Sequence, residues 1–259
     1  MNLKIGKKIH EFKKIIKKNL KKIINSKYRK KEKWFLECFK KFKELDKEHR
    51  FPILKKDFWP CLDDNTTHTG FDIHYTYHPA WAARVLAQTK PSKHVDISSC
   101  LVFSTVMSAF IPMEFYDLRP ADVHLDNLEC KKADLINLPF ADNSIESLSC
   151  MHTIEHVGLG RFGDEIDPDG DLKAINELKR VLKKGGDLLF VIPVGKPRIQ
   201  YNAHRNYSYE MIMEYFKDLK LKEYTLAPDN ALEVGMIKNA TKEITDAQIH
   251  GCGCFWFQK

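Results

Sequence analysis

Acidic residues recur at the ends of predicted strands through the middle of this chain. Asp96, Asp117 and Asp134 each fall at the end of a short predicted strand, the third a weak one, and a fourth strand ends in Cys150, Met151 and His152. One acid at a strand end is ordinary. A series, one per strand–helix unit, is what a nucleoside-binding crevice needs. A carboxylate at the end of the second strand, here Asp117, can accept hydrogen bonds from both hydroxyls of a ribose, and the next, Asp134, from an adenine amine. Asp96 also suits the cap of the helix that follows it, a role compatible with binding.

Two other clusters invite a metal reading. Asp164, Asp167, Asp169 and Asp171 crowd one segment, but Gly170 and the acids are misplaced for a calcium-binding loop. That segment reads as a loop running into a capped helix over 171–182, and no metal is expected there. Cys252 and Cys254 form a Cys-x-Cys pair. No second Cys or His pair is spaced to complete a zinc site, so a late strand is the expected home for them.

The elements that must position these groups follow from periodicity. Residues 3–24 carry Ile5, Ile9, Phe12, Ile15, Ile16, Leu20, Ile23 and Ile24 at three- and four-residue spacing, with lysines on the other face, which predicts a helix. A second helix is expected over about 29–47, with Phe35, Cys38, Phe39, Phe42 and Leu45 on one stripe. Residues 51–70, with Pro52, Pro60 and Gly70, read as loop. Pro79 suits the first position of a helix running to about Gln88. Strands are expected at 93–97, 113–117, 130–134, 146–151, 187–193, 219–226 and 254–257. Helices are expected at 101–109, at 171–182, closed by Gly185–Gly186, and at 208–216 under a Ser208 cap. Strands alternating with helices predict an α/β fold with a doubly wound, mainly parallel sheet, preceded by an N-terminal helical extension. The expected organisation is a basic extension over 1–50 and one domain over 51–259.

The order of motifs resembles a class I S-adenosylmethionine-dependent methyltransferase, which has a Rossmann-like fold. The resemblance rests on His94-Val-Asp-Ile-Ser at the first strand and Glu114-Phe-Tyr-Asp-Leu-Arg119 at the second. It continues through Ala133-Asp-Leu-Ile-Asn-Leu-Pro-Phe-Ala-Asp-Asn-Ser144, Ser149-Cys-Met-His-Thr-Ile-Glu-His156 and Glu177-Leu-Lys-Arg-Val-Leu-Lys-Lys-Gly-Gly-Asp-Leu188. It implies S-adenosyl-L-methionine as cofactor, held by Asp96, Ser98, Asp117, Leu118, Asp134, Leu135, Cys150 and His152. A narrower resemblance is carried by His156-Val-Gly-Leu-Gly-Arg-Phe-Gly-Asp164, Asp167-Pro-Asp-Gly170 and Asn202-Ala-His-Arg205. These are similar to a methyltransferase-like family of unknown function that occurs in bacterial surface-polysaccharide gene clusters, which implies a small or glycan-linked acceptor.

One departure stands out. The first loop of such enzymes is glycine-rich, whereas here it reads Asp96-Ile-Ser-Ser-Cys-Leu-Val102. Serine is small but cannot adopt positive φ at glycine's low cost. Its loss leaves open a non-catalytic binding protein that kept the fold. A nucleotide-binding dehydrogenase would need a Gly-x-Gly-x-x-Gly turn after the first strand, which is missing. For a methyltransferase acting on a hydroxyl, His156 and His204 are the candidate bases. Arg161 and Arg205 are the candidate substrate-binding residues, with His204 and Arg205 alternatively gripping an anionic acceptor together.

Composition sets the outer bounds. The 259 residues are 43% hydrophobic and 30% charged, enough for one good core. No stretch approaches the roughly 20 uninterrupted apolar residues of a membrane-spanning helix, and the N-terminus lacks a secretory pattern. Seven cysteines, an odd number, read as thiols of a reducing, cytoplasmic compartment. Net charge is +7, but residues 1–33 carry +12, so the remainder carries −5. The basic helix over 1–24 suits an anionic membrane surface, such as the inner face of the membrane, or a partner or second subunit in a homo-oligomer. Nucleic acid is not expected, because aromatic residues do not interleave with the lysines.

Overall fold

A computed structural model describes residues 26–259, so the lysine-rich helix expected over 3–24 lies outside the described residues. The chain divides into two compact units, one ending at Gly70 and the other spanning Phe71–Lys259. In the first, helix α1 covers residues 26–45 and is followed by irregular chain with a single turn of 3-10 helix at Lys55–Asp57. Phe35 and Phe39, one helical turn apart, both meet Phe58 edge-on, at 5.7 and 4.7 Å between ring centroids. Phe42 and Leu45, expected on the same stripe, are exposed. Among the described residues no helix is long and apolar enough to cross a membrane.

The second unit is a mixed α/β sheet with helices on both faces. Strands β1 (His94–Ile97), β2 (Met113–Asp117), β3 (Leu128–Lys132), β4 (Ile145–Met151) and β5 (Leu182–Val194) are mutually parallel. Beyond them lie β8 (Lys220–Ala227), β9 (Ile237–Lys238) and β10 (Gly251–Gln258). The order across the sheet is β3-β2-β1-β4-β5-β10-β8-β9, with β10 antiparallel to both neighbours. The chain leaves β1 toward β2 and β3, then returns to its other side as β4. Strand order therefore reverses between β1 and β4, and a crevice opens beyond their carboxyl ends. A separate hairpin, β6 (Arg198–Gln200) with β7 (His204–Asn206), rises next to it.

Both faces of the sheet are covered, so the central strand is apolar on each side. In β5, Leu188, Phe190 and Ile192 pack under Ala174, Ile175 and Leu178 of α4 (Gly170–Val181) and Ile212 of α5 (Tyr209–Tyr215). The alternate residues Leu189 and Val191 pack under Trp81, Ala82 and Val85 of α2 (Ile73–Thr89) and Phe103 of α3 (Leu101–Met107). That two-residue alternation is the strand pleat. The remaining helices, α6 (Ala231–Val234) and α7 (Lys242–Asp246), are short.

Three local expectations are corrected. Helix α2 starts at Ile73, not at Pro79, which lies inside it. Asp72 supplies the cap, its carboxylate accepting from Tyr75 N at 2.9 Å. A proline in a helix interior costs about 3 kcal/mol, and the buried Trp81, Ala82, Val85 and Leu86 offset that cost. The glycines at 185–186 do not separate helix from strand. β5 begins directly at Leu182, and the glycines take up a bulge where its pairing with β4 shifts register. Finally, the last strand begins at Gly251 rather than Cys254, and His250, just before it, borders the crevice.

Candidate functional site

A cavity of about 710 Å³ occupies the crevice at the strand ends. Ser98 after β1, Asp117 and Leu118 at the end of β2, and Asp134 and Leu135 after β3 border one side of it. His152, Glu155 and His156, from the turn after β4, border another. The start of α2, Arg161 and Phe162, His204 of β7 and His250 complete the lining. Nine of the expected residues therefore meet there: Ser98, Asp117, Leu118, Asp134, Leu135, His152, His156, Arg161 and His204.

Ser98 sits at φ +54°, the left-handed conformation the first loop normally gives to glycine. Its amide and hydroxyl both donate to Tyr116 O, at 2.7 and 3.1 Å, and its own carbonyl accepts from Thr153 Oγ1 at 2.9 Å. The turn is thus retained without glycine, held from β2 and from the β4 turn. Ser98→Gly is expected to leave stability within about 1 kcal/mol. Relief of positive φ, about 1–2 kcal/mol, is offset by greater freedom of the unfolded chain and loss of the hydroxyl bond. Ser98→Val, β-branched at positive φ, is expected to lose about 2 kcal/mol or more in urea unfolding. Equal losses in both variants would mean that the hydroxyl bond, not φ, governs this turn.

Three expected site residues do not border the cavity. Asp96 is fully buried below it, on the α3 side of β1. Its carboxylate accepts from Ser104 Oγ at 2.5 Å and Ser149 Oγ at 2.9 Å. Burial pushes its pKa up to about 6 despite those bonds. It ties α3 to β4, and His94, bonded to Ser147 and Ser149, extends the same network. Cys150 points into the core under α4, whereas His152, one residue past the end of β4 and at φ +55°, leaves the strand's alternation and turns to the crevice. Arg205 is 6% exposed and turned away from the cavity, donating to Val157 O at 2.6 Å and Pro168 O at 3.2 Å.

The acidic segment is loop, as expected. Asp164 accepts from the amides of Gly158 (2.8 Å), Gly160 (3.3 Å) and Phe162 (3.1 Å). Burial works against its charge, but those amides outweigh it and hold its pKa below the usual carboxylate range. Asp167 pairs with Lys173, and Asp171 lies inside α4. Gly158, at φ +79°, lets this loop close, since a Cβ there would meet Asp167 O at 2.0 Å.

Around the cavity the imidazoles form a row that sequence reading missed. Ring centroids are 4.7 Å apart for His204 and His250, 4.8 Å for His250 and His74, and 4.9 Å for His74 and His152. His78 lies edge-on to His152 at 5.1 Å. His74 and His78 are four residues apart on α2, hence on one face. Burial and the neighbouring His152 and His250 lower His74 to about 4. Burial and His250 lower His204, and burial and His152 lower His250. Burial also works against a charge on His152, but Cys252 and Glu155 outweigh it and lift its pKa to about 10. Glu155 Oε1 lies 2.8 Å from His152 Nδ1. Among the described residues, two buried polar atoms at the cavity have no hydrogen-bond partner, Glu155 Oε2 and His204 Nε2.

His156 gives its Nδ1–H to Ala203 O at 2.6 Å, which leaves Nε2 as its open nitrogen. Arg119 and Arg161 both lie over the Phe162 ring, at 4.7 and 4.9 Å, and form a cationic rim.

Comparison with known proteins places this geometry. Residues 137–245, under half of the chain, match the family described as Caenorhabditis protein of unknown function, DUF268. An uncharacterised protein of Methanocaldococcus jannaschii is 35% identical over 60 residues, which are 23% of this chain and 21% of that protein. The match thus spans about a fifth of that relative's length. Among solved structures, the N-methyltransferase NodS of Bradyrhizobium japonicum, in complex with S-adenosyl-L-homocysteine, superposes with a TM-score of 0.51. The overlap covers 77% of this chain and 91% of that one at 13% identity. The [4+2]-cyclase SpnF superposes with a TM-score of 0.51 over 70% and 81% of the two chains, also at 13% identity. The chain has the Rossmann-like fold of class I methyltransferases.

Proposed function

We propose that this chain is an S-adenosylmethionine-dependent methyltransferase acting on an oxygen of a small or glycan-linked acceptor. The observation that carries the reading is the cavity at the strand-order reversal, bordered by carboxylates at two successive strand ends, Asp117 and Asp134. Its volume of about 710 Å³ lies in the ordinary range of ligand sites. The orphaned Glu155 Oε2 and His204 Nε2 call for a polar occupant.

In this reading Asp117 and Asp134 hold the ribose and the adenine amine, while Leu118 and Leu135 flank the base. When bound, S-adenosylmethionine supplies an electrophilic methyl carbon. Transfer to a hydroxyl breaks the carbon–sulfur bond, forms a carbon–oxygen bond and releases the hydroxyl proton. His204 takes that proton: burial keeps its imidazole neutral, and its Nε2 is unpaired at the cavity. His156, oriented by Ala203, is the second candidate. Arg119 and Arg161 on Phe162 suit an anionic group at the rim. The glycan-linked acceptor rests on the resemblance carried by residues 156–164 and 202–205.

Calorimetry with S-adenosyl-L-homocysteine tests the cofactor. The folded chain is expected to bind it, and Asp117→Ala to weaken binding by about 1.5–3 kcal/mol, the scale of a hydrogen bond to a charged group. No binding by the folded chain would favour a protein that kept the fold and lost the cofactor. An unchanged Kd in the variant would move the ribose contact elsewhere.

A further inference from the structure

Cys252, buried near the start of β10 and outside the cavity lining, meets the histidine row. Its Sγ lies 3.3 Å from His152 Nε2, and the donor atoms of His74, His152 and Cys252 all lie within 4.8 Å of one another. We propose that His74, His152 and Cys252 form a binding site for a divalent cation of the zinc class. Zinc bonds of about 2.0 Å to nitrogen and about 2.3 Å to sulfur, at a tetrahedral angle, set the two donors about 3.5 Å apart. The Nε2–Sγ separation is already close to that.

The hydrogen bonds orient the rings for it. Glu155 Oε1 lies 2.8 Å from His152 Nδ1 and fixes that nitrogen as the donor, so that Nε2 faces the sulfur. A carboxylate behind a histidine in this way is the usual support of a metal ligand. His74 gives Nε2–H to His250 O at 2.9 Å, so its other nitrogen carries the lone pair. His74 is the half-buried member at the start of α2, and its ring stacks on His152 at 4.9 Å and 18°, so it has to rotate to bring its lone pair to the ion. Beside them His78 gives Nδ1–H to His74 O, and its Nε2 is buried without a partner among the described residues. Unpaired imidazole nitrogen in an interior is costly unless something accepts its lone pair.

The ligand types select the ion. Two imidazoles and a thiolate suit zinc and its neighbours, whereas magnesium and calcium take oxygen. His74 and His152 border the cavity and Cys252 does not. A fourth coordination position therefore opens toward the cavity, as in sites that bind an exogenous ligand. Sequence spacing hid this site, because its ligands come from α2, the β4 turn and β10. It goes beyond the methyl-transfer reading and stands independently of it.

The test is Co²⁺ titration of the metal-stripped, tag-free full-length chain, followed by absorption spectroscopy. The expected result is one Co²⁺ per chain, with a thiolate-to-cobalt charge-transfer band that Zn²⁺ abolishes. Cys252→Ser should lose the band and Cys254→Ser keep it, although Cys254 Sγ is only 3.9 Å from Cys252 Sγ. Glu155→Gln should weaken binding about 10–100-fold, and His74→Ala by at least as much. Should Cys252→Ser fail to fold, His74→Ala, altered at a half-buried helix start, decides the matter. Absence of stoichiometric Co²⁺ in the folded chain, a band that survives Cys252→Ser, or unchanged affinity in His74→Ala would overturn the site. Binding of S-adenosyl-L-homocysteine, measured on the same stripped samples, reads the cofactor hypothesis separately.

Discussion

Replacing His204 by alanine is expected to lower the single-turnover rate of methyl transfer about 10²–10⁴-fold, with affinity for S-adenosyl-L-homocysteine unchanged. That is the usual contribution of a positioned general base. An alcohol is a poor nucleophile until its proton begins to leave, so a neutral imidazole within hydrogen-bond reach lowers the barrier. For His204, burial and His250 depress the pKa, and its buried Nε2 has no hydrogen-bond partner among the described residues. The sign of the pH dependence follows. Only the neutral ring accepts a proton, so the rate falls as pH drops through the histidine pKa. Because that pKa is lowered, the acidic limb should lie below about 6.5, the ordinary histidine value. At neutral pH the rate should be on its plateau. His156→Ala is the comparison. A large loss there with near-normal turnover in His204→Ala would transfer the role to His156. A pH-independent rate with near-normal turnover in both variants would rule out a histidine base and favour an acceptor that arrives ionised.

That His156 and His204 come to the crevice was legible in the sequence, and so was most of the sheet. β1, β2 and β4 lie within one residue of their expected limits, since short apolar runs bounded by turn residues leave little room for error. Asp117 was legible because it ends such a run, whereas Asp134 follows the weaker Cys130-Lys-Lys-Ala segment. What was not legible depended on contacts between distant segments. Pro79 looks like a helix start, and taking it so hid the turn and a half of α2 that carries His74 and Tyr75 to the cavity. Cys252 and His152 are 100 residues apart, and nothing local in either signals the other. The β6–β7 hairpin has three-residue strands rich in polar groups, too short and too polar for periodicity to register. Asp96 was legible as a strand-end acid but not as a buried one, because which side of the pleat it takes is settled by α3 packing over it.

Arg205 makes the same point with the largest expected effect on stability. An arginine in a polar hairpin reads as a surface group free to hold an anionic substrate, yet here it is buried with its charge partner. Its Nε lies 3.8 Å from Asp171 Oδ2, and Asp171, 5% exposed, also accepts from Tyr207 OH at 2.7 Å. Its two remaining nitrogens satisfy Val157 O and Pro168 O. Arg205→Ala would therefore strand a buried carboxylate and two carbonyls, and the expected cost is about 3–5 kcal/mol in urea unfolding. The slope with denaturant should be unchanged if only stability is altered. Removing both charges, Arg205→Met with Asp171→Asn, should recover part of that loss, since no unpaired ion is then left inside. Those carbonyls flank the 158–167 loop, which carries Arg161 and Phe162, so Arg205 positions the cationic rim without touching what binds there. Activity per folded molecule should accordingly fall through acceptor KM, and the double variant should restore stability more fully than KM. A loss of stability below about 1 kcal/mol, accompanied by a large rise in acceptor KM, would return Arg205 to the substrate-binding role its sequence context suggests.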